Sequence, residues 1–385
     1  MDQDLRRSAA EVLDEQWREP GFTCPNATTY PWLWLWDSCF HSMVNAALGR
    51  EERAVAELSC ALGAQDGDGF VPHLQYLDRS DAHETFWGRP HTSSITQPPV
   101  HAAAVVELVE RGIELPDELI ERARAGLWFL LERRRRSPAG LVEIVHPWES
   151  GCDHSPRWDD LMGDAFDHDV WFEQKGRLLD TIERSPGGAP LHNDAFPVGS
   201  VAFSAITAHG ARRLGRHLGD AALVAAADEL AGDLFARWEP GRRTFVDDGP
   251  TAAGSGRVRT AEALLAVLVA HPVRDRDVVA AVASELDDPD AFSGPYGPTQ
   301  VHRGEPTYTP GSYWRGPSWP QLDLLLWWGL RDGPGEVARV AGRLATTSVR
   351  GAVASGWAEY WDSDDATPGG ARPQSWTTVA VLMDS

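Results

Sequence analysis

The feature that most constrains the fold of this 385-residue chain is a helical hydrophobic pattern that recurs along nearly its whole length. Start and stop signals support it: Pro98 and Pro99 open one candidate helix, Gly112 ends it, and Pro116 precedes the next. A further candidate helix lies near 167–183. Twelve other segments carry the pattern: 2–17, 38–49, 51–64, 98–112, 117–136, 197–217, 219–236, 258–271, 275–287, 318–331, 334–350 and 375–384.

Short and long connections alternate between these segments. A short connection, such as 112–117 or 271–275, makes two consecutive helices run antiparallel as a hairpin. Six hairpins whose first and last helices close a ring make an (α/α)6 barrel, in which the long connections emerge at one end. We therefore predict an all-α (α/α)6 barrel that forms a single domain over residues 1–385, with a lid-like excursion at 161–196.

The long connections hold the unusual side chains of this sequence. Connections of this length are uncommon in a compact domain unless they carry function. Acidic and aromatic residues concentrate in 30–41, 66–73, 146–160, 313–319 and 357–365. An acidic and aromatic funnel at one end of a helical barrel is the active site that this pattern predicts.

The composition argues against several kinds of partner. The formal net charge of −22 disfavours nucleic acid and anionic membranes, which need a basic surface. No stretch approaches the roughly 18 apolar residues of a membrane span, and the N-terminal segment lacks a signal peptide's apolar core. We interpret the chain as cytoplasmic, with four reduced cysteines that have no C-x-x-C spacing, and we leave its oligomeric state open. No His pair has zinc-site spacing, and 66–69 lacks the acid spacing of a calcium loop, so no metal is expected.

Three tryptophans, Trp32, Trp34 and Trp36, alternate with other residues immediately before Asp37. In an extended segment their indoles would share one face. One interpretation is an apolar segment beneath a helix. The other is an aromatic wall for a ligand with apolar faces and polar edges, such as a sugar ring.

Carboxylates lie among aromatic residues in two of the long connections. Segment 146–160 contains Glu149, Asp153, Asp159 and Asp160, and an acid held against an indole can have a raised pKa and act as a general acid. The alternative is that these acids cap turns and helices. Glu359 is the second candidate, because Trp357, Tyr360 and Trp361 surround it. Two carboxylates on opposite sides of one bond are the apparatus of glycoside hydrolysis.

Six ordered blocks resemble one known family. The resemblance to glycoside hydrolase family 63, and within it to compact bacterial hydrolases of mannosylglycerate and glucosylglycerate, runs from about residue 30 to 382. It implies an inverting glycoside hydrolase on an (α/α)6 barrel, without metal or organic cofactor, whose partner is a small carbohydrate. The substrate expected is a small α-linked glucoside or mannoside, most specifically glucosylglycerate. The blocks are WLWDSCFH (34–41), DGFVPH (68–73), TQPP (96–99), WESGCDHSPRWDD (148–160), YWRGPSW (313–319) and EYWD (359–362).

The resemblance also implies roles for individual residues. Asp153 matches the family's general acid and Glu359 its general base. Trp36 and Asp37 match the residues that hold the sugar, with Trp32 and Trp34 packing behind them. The substrate-binding positions implied are Trp36, Asp37, Gln97, Trp148, Gly151, Tyr313, Trp314, Arg315, Trp319 and Gln374.

Arg315 has two interpretations from its own surroundings. A guanidinium between aromatic residues could bind a substrate carboxylate or hydroxyl or steady a catalytic carboxylate. It could equally hold its loop to a neighbouring acid. Two features depart from the family pattern: His154 stands where Asn is usual, and 166–188 occupies the place of a substrate-capping segment without matching it.

Two other functions remain open at this point. An (α/α)6-barrel sugar epimerase or isomerase would use histidine-centred proton transfer, with His41, His73, His101, His146 and His154 as candidates. A catalytically silent sugar-binding pathway protein would keep the pocket without turnover, because a fold does not fix a function.

Overall fold

The computed structural model describes residues 3–76, 80–163 and 167–384, and this part of the chain is mainly helical, which confirms the all-α class. Three segments with other helical geometry belong to the same framework: a π-helix at Phe129–Arg133 and 3₁₀ helices at Glu262–Val269 and Ser375–Val379. The α-helices are α1 Gln3–Gln16, α2 Leu35–Ala47, α3 Glu51–Gly63, α4 Asp81–Trp87, α5 His101–Glu110, α6 Asp117–Trp128, α7 Asp159–Met162, α8 His168–Leu179, α9 Val201–Leu218, α10 Ala221–Phe235, α11 Arg276–Asp287, α12 Pro320–Leu330, α13 Glu336–Ala354 and α14 Ala380–Met383.

Short strands tie the long connections together. Each has two or three residues and pairs with one antiparallel partner, so the strands fasten loops and do not form a layer of their own. The pairs are β1 Trp17–Arg18 with β2 Phe22–Thr23, β3 Leu33–Trp34 with β4 Leu74–Gln75, β5 Glu143–Ile144 with β8 Val198–Gly199, β6 Glu183–Arg184 with β7 Pro190–His192, β9 Trp238–Glu239 with β10 Thr244–Phe245, and β11 Tyr360–Trp361 with β12 Pro368–Gly369.

The hairpin of α9 and α10 shows how the sequence builds these pairs. The Ser200 hydroxyl accepts a hydrogen bond from the Phe203 N–H and caps the start of α9. Gly219 ends α9 with φ +67°, a left-handed conformation that glycine adopts without steric cost. Asp220 follows at once and caps α10 by accepting from the Leu223 N–H. Because two residues both stop one helix and start the next, the chain turns straight back.

Six helical segments pack in an order that returns to its starting point. Helix α2 packs against α5, α5 against α9, and α9 against Glu262–Val269. The last segment packs against α12, which packs against Ser375–Val379 and α14, and these contact α2 again. A second set is made of α1, α3, α6, α10, α11 and α13, and each member packs against at least one segment of the first set.

The core is continuous along the chain. One cluster of buried hydrophobic side chains includes Leu5 in α1 and Met383 in α14. A smaller cluster lies beneath the long connections and joins them to α8: Leu74, Tyr76, Trp87, Ile95, Val145, Leu179 and Ile182. The long connections are therefore anchored by apolar packing of their own.

The structure refines the predicted elements at several points. Helix α2 begins at Leu35 and not at 38, the predicted helix 258–271 is a 3₁₀ helix, and the expected helix near 167–183 is α8. Residues 164–166 of the predicted excursion lie outside the described residues. All four cysteines are unpaired. Among the helices described, none has the length and apolar character that crossing a membrane requires.

Candidate active site

A cavity of about 670 Å³ is lined by residues from the long connections. Trp34 immediately precedes α2, and Trp36 and Asp37 lie in the first turn of that helix. Gln97 lies shortly before α5, and Gln374 directly precedes the helix Ser375–Val379. The cavity therefore lies at the amino-terminal ends of helices from the first packing set, which is where long connections were expected to gather.

The three tryptophans of 32–36 all line this cavity. The segment is a strand only at Leu33–Trp34, and the helix begins directly after it, so the alternation of an extended segment does not explain their shared position. Trp32 and Trp34 also do not pack behind the Trp36–Asp37 pair: Trp32 contacts the Tyr76 ring edge-on with centroids 5.1 Å apart, and Trp34 contacts His73 similarly at 5.3 Å. Together they extend the aromatic wall.

Several polar atoms of the wall are buried without a hydrogen-bond partner among the described residues. They are Trp36 Nε1, Asp37 Oδ1 and Gln374 Oε1. An unpaired buried polar atom is costly, and a partner normally satisfies it. Gln97 is fixed differently, because its Oε1 accepts from the Trp36 N–H at 3.2 Å. One donor and two acceptors beside indole rings suit a ligand rich in hydroxyl groups.

Asp153 lies between three polar neighbours at the cavity. Its Oδ1 accepts a hydrogen bond from Trp314 Nε1 at 2.9 Å, and its Oδ2 lies 3.5 Å from Lys175 Nζ and 4.0 Å from His154 Nε2. Burial raises the pKa of Asp153, but Lys175 and His154 favour the carboxylate and the net pKa is below its ordinary value. The ionised form of Asp153 is therefore favoured at neutral pH.

Glu359 lies on the same cavity and has the opposite tendency. Burial, together with the Asp153 charge, raises the pKa of Glu359 to about 7, although hydrogen bonds from the Ala371 N–H and the Tyr30 hydroxyl favour the carboxylate. These bonds measure 2.9 Å to Oε2 and 3.3 Å to Oε1. When the two acids share one proton, that proton therefore resides mainly on Glu359.

Gly151 lets the loop of Asp153 approach the aromatic wall. Its φ of +72° is left-handed, and a Cβ atom at this position would lie 2.6 Å from Trp36 Cη2. Trp148 precedes it in the same loop and lines the cavity. The loop geometry thus requires glycine both for its backbone and for its contact with Trp36.

The segment 313–319 contributes in two ways. Tyr313 and Trp314 line the cavity, as predicted. Arg315 and Trp319 do not, contrary to the expectation that they bind substrate. Trp319 stacks behind Trp314 with ring centroids 3.5 Å apart, and Arg315 forms an ion pair with Asp159 in which Nη1 lies 3.2 Å from Oδ2. Of the two interpretations of Arg315, attachment of the loop to an acid is the one that the geometry favours.

The remaining acids of 146–160 are structural. Glu149 is fully buried and forms an ion pair with Arg134, whose Nη2 lies 3.0 Å from Oε1. The Glu149 carboxylate also accepts from the N–H groups of Thr96 and Val145, so it joins two loops that border the cavity. Asp160 accepts from the Ser255 N–H. These acids therefore hold loops in place, Glu149 through a buried ion pair and Asp160 through a backbone hydrogen bond.

The histidines proposed for an epimerase are buried and poorly basic. Burial lowers the pKa of His41, His73 and His146 to about 3 and that of His101 to about 4. Burial also lowers the pKa of His154 to about 4, although the Asp153 charge opposes the change. These imidazoles are weak proton acceptors near neutral pH. In the described ranges, no group of three or more His, Cys, Asp or Glu side chains is placed to hold a metal ion.

Sequence reasoning missed several cavity residues. His168, Phe172 and Lys175 come from α8, inside the predicted excursion. Their spacing of four and three residues places them on one helix face, a signal that the sequence contained. The other lining residues outside the predicted site are Pro25, Thr29, Tyr30, Trp32, Trp34, His73, Leu74, Tyr76, Phe86, Trp87, His154, Tyr360, Gly370 and Trp376.

Comparison with known proteins agrees with this geometry. Residues 30–377 match the family model described as a mannosylglycerate hydrolase MGH1-like glycoside hydrolase domain. A mannosylglycerate hydrolase from Rubrobacter radiotolerans is 30% identical, over 99% of this chain and 96% of the relative. A glucosylglycerate hydrolase from Mycolicibacterium hassiacum is also 30% identical, over 92% of this chain and 91% of the relative.

A solved structure is similar over almost the whole chain. The family 63 mannosylglycerate hydrolase from Thermus thermophilus, in complex with Tris and D-glycerate, has a TM-score of 0.83 and 27% identity. The similarity covers 98% of this chain and 99% of that structure. The resemblance recognised in the sequence is confirmed: the chain is a glycoside hydrolase and belongs to the mannosylglycerate hydrolase MGH1-like branch of family 63.

Proposed function

We propose that this glycoside hydrolase cleaves a small α-linked glycoside of glycerate, with inversion, by using Asp153 as general acid and Glu359 as general base. The observation that carries the proposal is the convergence of these two acids, more than 200 residues apart in sequence, on one aromatic-walled cavity. Hydrolysis needs such a pair, and the cavity size suits a small ligand.

The framework proposed is the (α/α)6 barrel. The returning order of contacts among α2, α5, α9, Glu262–Val269, α12 and the C-terminal helices is what a closed inner ring would produce. The second set of helices would form the outer ring. The continuous core supports a single catalytic domain, and the unpaired cysteines support a cytoplasmic location.

The proposed reaction begins with a sugar ring held against Trp36. The unpaired Trp36 Nε1, Asp37 Oδ1 and Gln374 Oε1 would bond its hydroxyl groups. Asp153 donates its proton to the glycosidic oxygen as the bond between that oxygen and the anomeric carbon breaks. Glu359 removes a proton from a water molecule, whose oxygen attacks the same carbon from the opposite face. The products are a β-sugar and the protonated aglycone.

Glycerate is the proposed aglycone because the chain is similar over its full length to hydrolases of mannosylglycerate and of glucosylglycerate. The two sugars differ only at C2, and glucosylglycerate is the first substrate to test. Helix α8 supplies His168, Phe172 and Lys175 to the cavity lining, and we propose that the excursion that carries this helix caps the bound substrate.

A proton NMR time course tests the proposal. The purified protein would be incubated with glucosylglycerate, mannosylglycerate, kojibiose and trehalose in parallel. We expect the β-anomer to appear first from one glycerate substrate. Prior appearance of the α-anomer would overturn the inverting roles of Asp153 and Glu359. Hydrolysis of kojibiose or trehalose, without hydrolysis of either glycerate substrate, would overturn the proposal that glycerate is the aglycone.

Substitution of the two acids tests their roles. Asp153→Asn and Glu359→Gln should each lower kcat by about 10²- to 10⁴-fold, the usual contribution of general acid–base catalysis. Asp365→Asn is the matched control, because Asp365 is an exposed acid on the same segment as Glu359 and accepts hydrogen bonds locally from Thr367. Near-native turnover in either acid variant would remove that residue from the mechanism.

A further inference from the structure

Lys175 is the only lysine in the 385-residue sequence, and it lies on the wall of the active-site cavity. It comes from α8, and its side chain is only 1% exposed. Among the described residues that line the cavity it is the sole lysine or arginine. A buried ammonium normally requires a close anionic partner, because its desolvation is costly.

The partner that Lys175 has in the described structure is a loosely held one. Its Nζ lies 3.5 Å from Asp153 Oδ2, whereas charge-assisted hydrogen bonds usually measure about 2.7–2.9 Å. The ammonium also faces the rings of Trp148 and Trp171, at 5.8 Å and 5.9 Å from their centroids. Lys175 is therefore a cation on the cavity wall that faces two aromatic rings and lies beyond close hydrogen-bond distance of its carboxylate partner.

This position conflicts with the role proposed for Asp153. A general acid must hold a proton before the bond breaks, and a neighbouring ammonium stabilises the ionised carboxylate. The pKa of Asp153 is lowered, while burial lowers the pKa of Lys175 to about 8, so both groups are mainly charged at neutral pH. The contact with Lys175 thus favours the ionised form of Asp153, which is not the form that a general acid needs.

We propose that Lys175 is the specificity residue for an anionic aglycone and that the carboxylate of the bound substrate takes Lys175 away from Asp153, so that Asp153 becomes the protonated acid. The inference rests on the proposed function and adds a reason for its substrate class. No proton is gained or lost by the two catalytic acids together. The proton that resides on Glu359 in the free protein moves through solvent to Asp153, and both acids reach their working states together.

The other groups facing Lys175 and Asp153 do not supply this switch. His73, His146 and His154 surround the site, and their lowered pKa values keep them neutral near pH 7. Tyr30 and Tyr313 are neutral, since burial raises their pKa values. Arg315 is engaged with Asp159, and His168, from the first turn of α8, stands edge-on to His154. The cavity acids that remain are Asp37, whose pKa burial holds well above its ordinary value, and Glu359, whose pKa is about 7. The Asp153 charge raises the pKa of Glu359, so Glu359 is the acid that shares a proton with Asp153.

The decisive experiment compares two substrates that differ only in charge. Glucosylglycerate and glucosylglycerol share the sugar and linkage, but the second lacks the carboxylate. We expect the wild-type kcat/KM to favour glucosylglycerate by at least tenfold. Lys175→Met, which keeps the side-chain length without the charge, should lose at least tenfold in kcat/KM on glucosylglycerate, mainly through KM, so that the preference for glucosylglycerate over glucosylglycerol disappears.

The pH profile separates this role from a structural one. In Lys175→Met the pKa of Asp153 should rise, so the acidic limb of kcat/KM for glucosylglycerol should move to higher pH. An equal loss of kcat/KM on both substrates, with the acidic limb of the pH profile unchanged, would overturn the role of Lys175. It would not contradict the proposed glycoside hydrolase function. Hydrolysis of neither substrate by the wild type would instead overturn the proposed substrate.

The single lysine also permits a direct test of binding. Protein labelled with lysine carrying ¹³C at Cε should give one lysine resonance. We expect D-glycerate to shift it saturably and glycerol to leave it unchanged. If D-glycerate does not change the chemical shift of the lysine resonance, the inference is overturned, even if the protein hydrolyses another glycoside.

Discussion

The indole Nε1 of Trp314 donates a hydrogen bond of 2.9 Å to Oδ1 of Asp153, and the same indole lies flat against Trp319. The stack fixes the plane of Trp314, so the donor approaches Asp153 from a set direction. The other oxygen, Oδ2, then faces Lys175 and the cavity. Trp319 therefore acts on the site through Trp314, although it does not line the cavity itself.

Removing this donor should impair turnover more than binding. Trp314→Phe keeps a ring on Trp319 but cannot donate to Asp153, so the carboxyl group can rotate away from the glycosidic oxygen. A hydrogen bond to a charged group contributes about 1.5–3 kcal/mol, and we expect kcat to fall by roughly 10- to 100-fold. Steady-state kinetics on glucosylglycerate would measure it.

Trp328→Phe is the matched control for that substitution. Trp328 lies on α12 and stacks on His209, with ring centroids 5.8 Å apart, outside the cavity lining. Its replacement should change kcat by less than a factor of two. Equal losses in the two variants would mean that Trp314 supports the fold without orienting Asp153.

The rate should depend on pH through Glu359. The productive pair has Asp153 protonated and Glu359 ionised, and it therefore holds one proton in total. Since the pKa of Glu359 is about 7, that proton is lost as the pH rises through about 7, and kcat/KM should fall at higher pH. Below the lowered pKa of Asp153 both acids are protonated, and the rate should fall again.

Tyr30→Phe tests the assignment of the alkaline limb. The Tyr30 hydroxyl donates to Glu359 at 3.3 Å and lowers its pKa, so the variant should raise that pKa and move the alkaline limb to higher pH. The comparison requires kcat/KM from about pH 4 to 9 at constant ionic strength. If the alkaline limb of Tyr30→Phe stays at the wild-type pH, that limb reports the titration of a group other than Glu359.

The sequence predicted the helical framework well because local signals control it. Short links such as Gly219-Asp220 contain both a stop and a start signal, so hairpins follow from neighbours in the chain. The placement of Trp36, Asp37, Gln97, Asp153 and Glu359 on one cavity agrees with the expectation that long connections share one end.

What the sequence could not predict depends on orientation across the fold. Arg315 and Trp319 lie within a few residues of Tyr313 and Trp314, yet they do not line the cavity, because Arg315 pairs with Asp159 and Trp319 stacks behind Trp314. Lys175 was not identified because its importance arises from contact with Asp153, 22 residues away in a different element. Helical spacing shows which residues share one face of α8, but it does not show which residues of other elements that face contacts.

Gly151→Ala should damage the aromatic wall. The left-handed backbone disfavours alanine by about 1–2 kcal/mol, and the added methyl group would displace Trp36. We expect both lower stability and at least a tenfold loss of kcat/KM. Gly49→Ala is the control, because Gly49 has φ +77° with open space around its Cβ position. Gly49→Ala should lose comparable stability through backbone strain but keep its activity. Unchanged activity in Gly151→Ala would instead show that Trp36 can shift without affecting catalysis.

Glu149→Gln should destabilise the fold without abolishing catalysis. The substitution removes the charge opposite Arg134, and both side chains are fully buried, so the guanidinium is left without its countercharge. Breaking such a buried pair costs about 3–5 kcal/mol. Glu118→Gln removes an acid from the exposed pair with Arg122 and should change the free energy of unfolding by less than about 0.5 kcal/mol. Urea denaturation measures both free energies of unfolding.

At a temperature where Glu149→Gln remains folded, its kcat should stay within a few-fold of the wild type, because Glu149 positions loops and does not line the cavity. A loss as large as that of Asp153→Asn in the folded variant would instead place Glu149 in the chemistry.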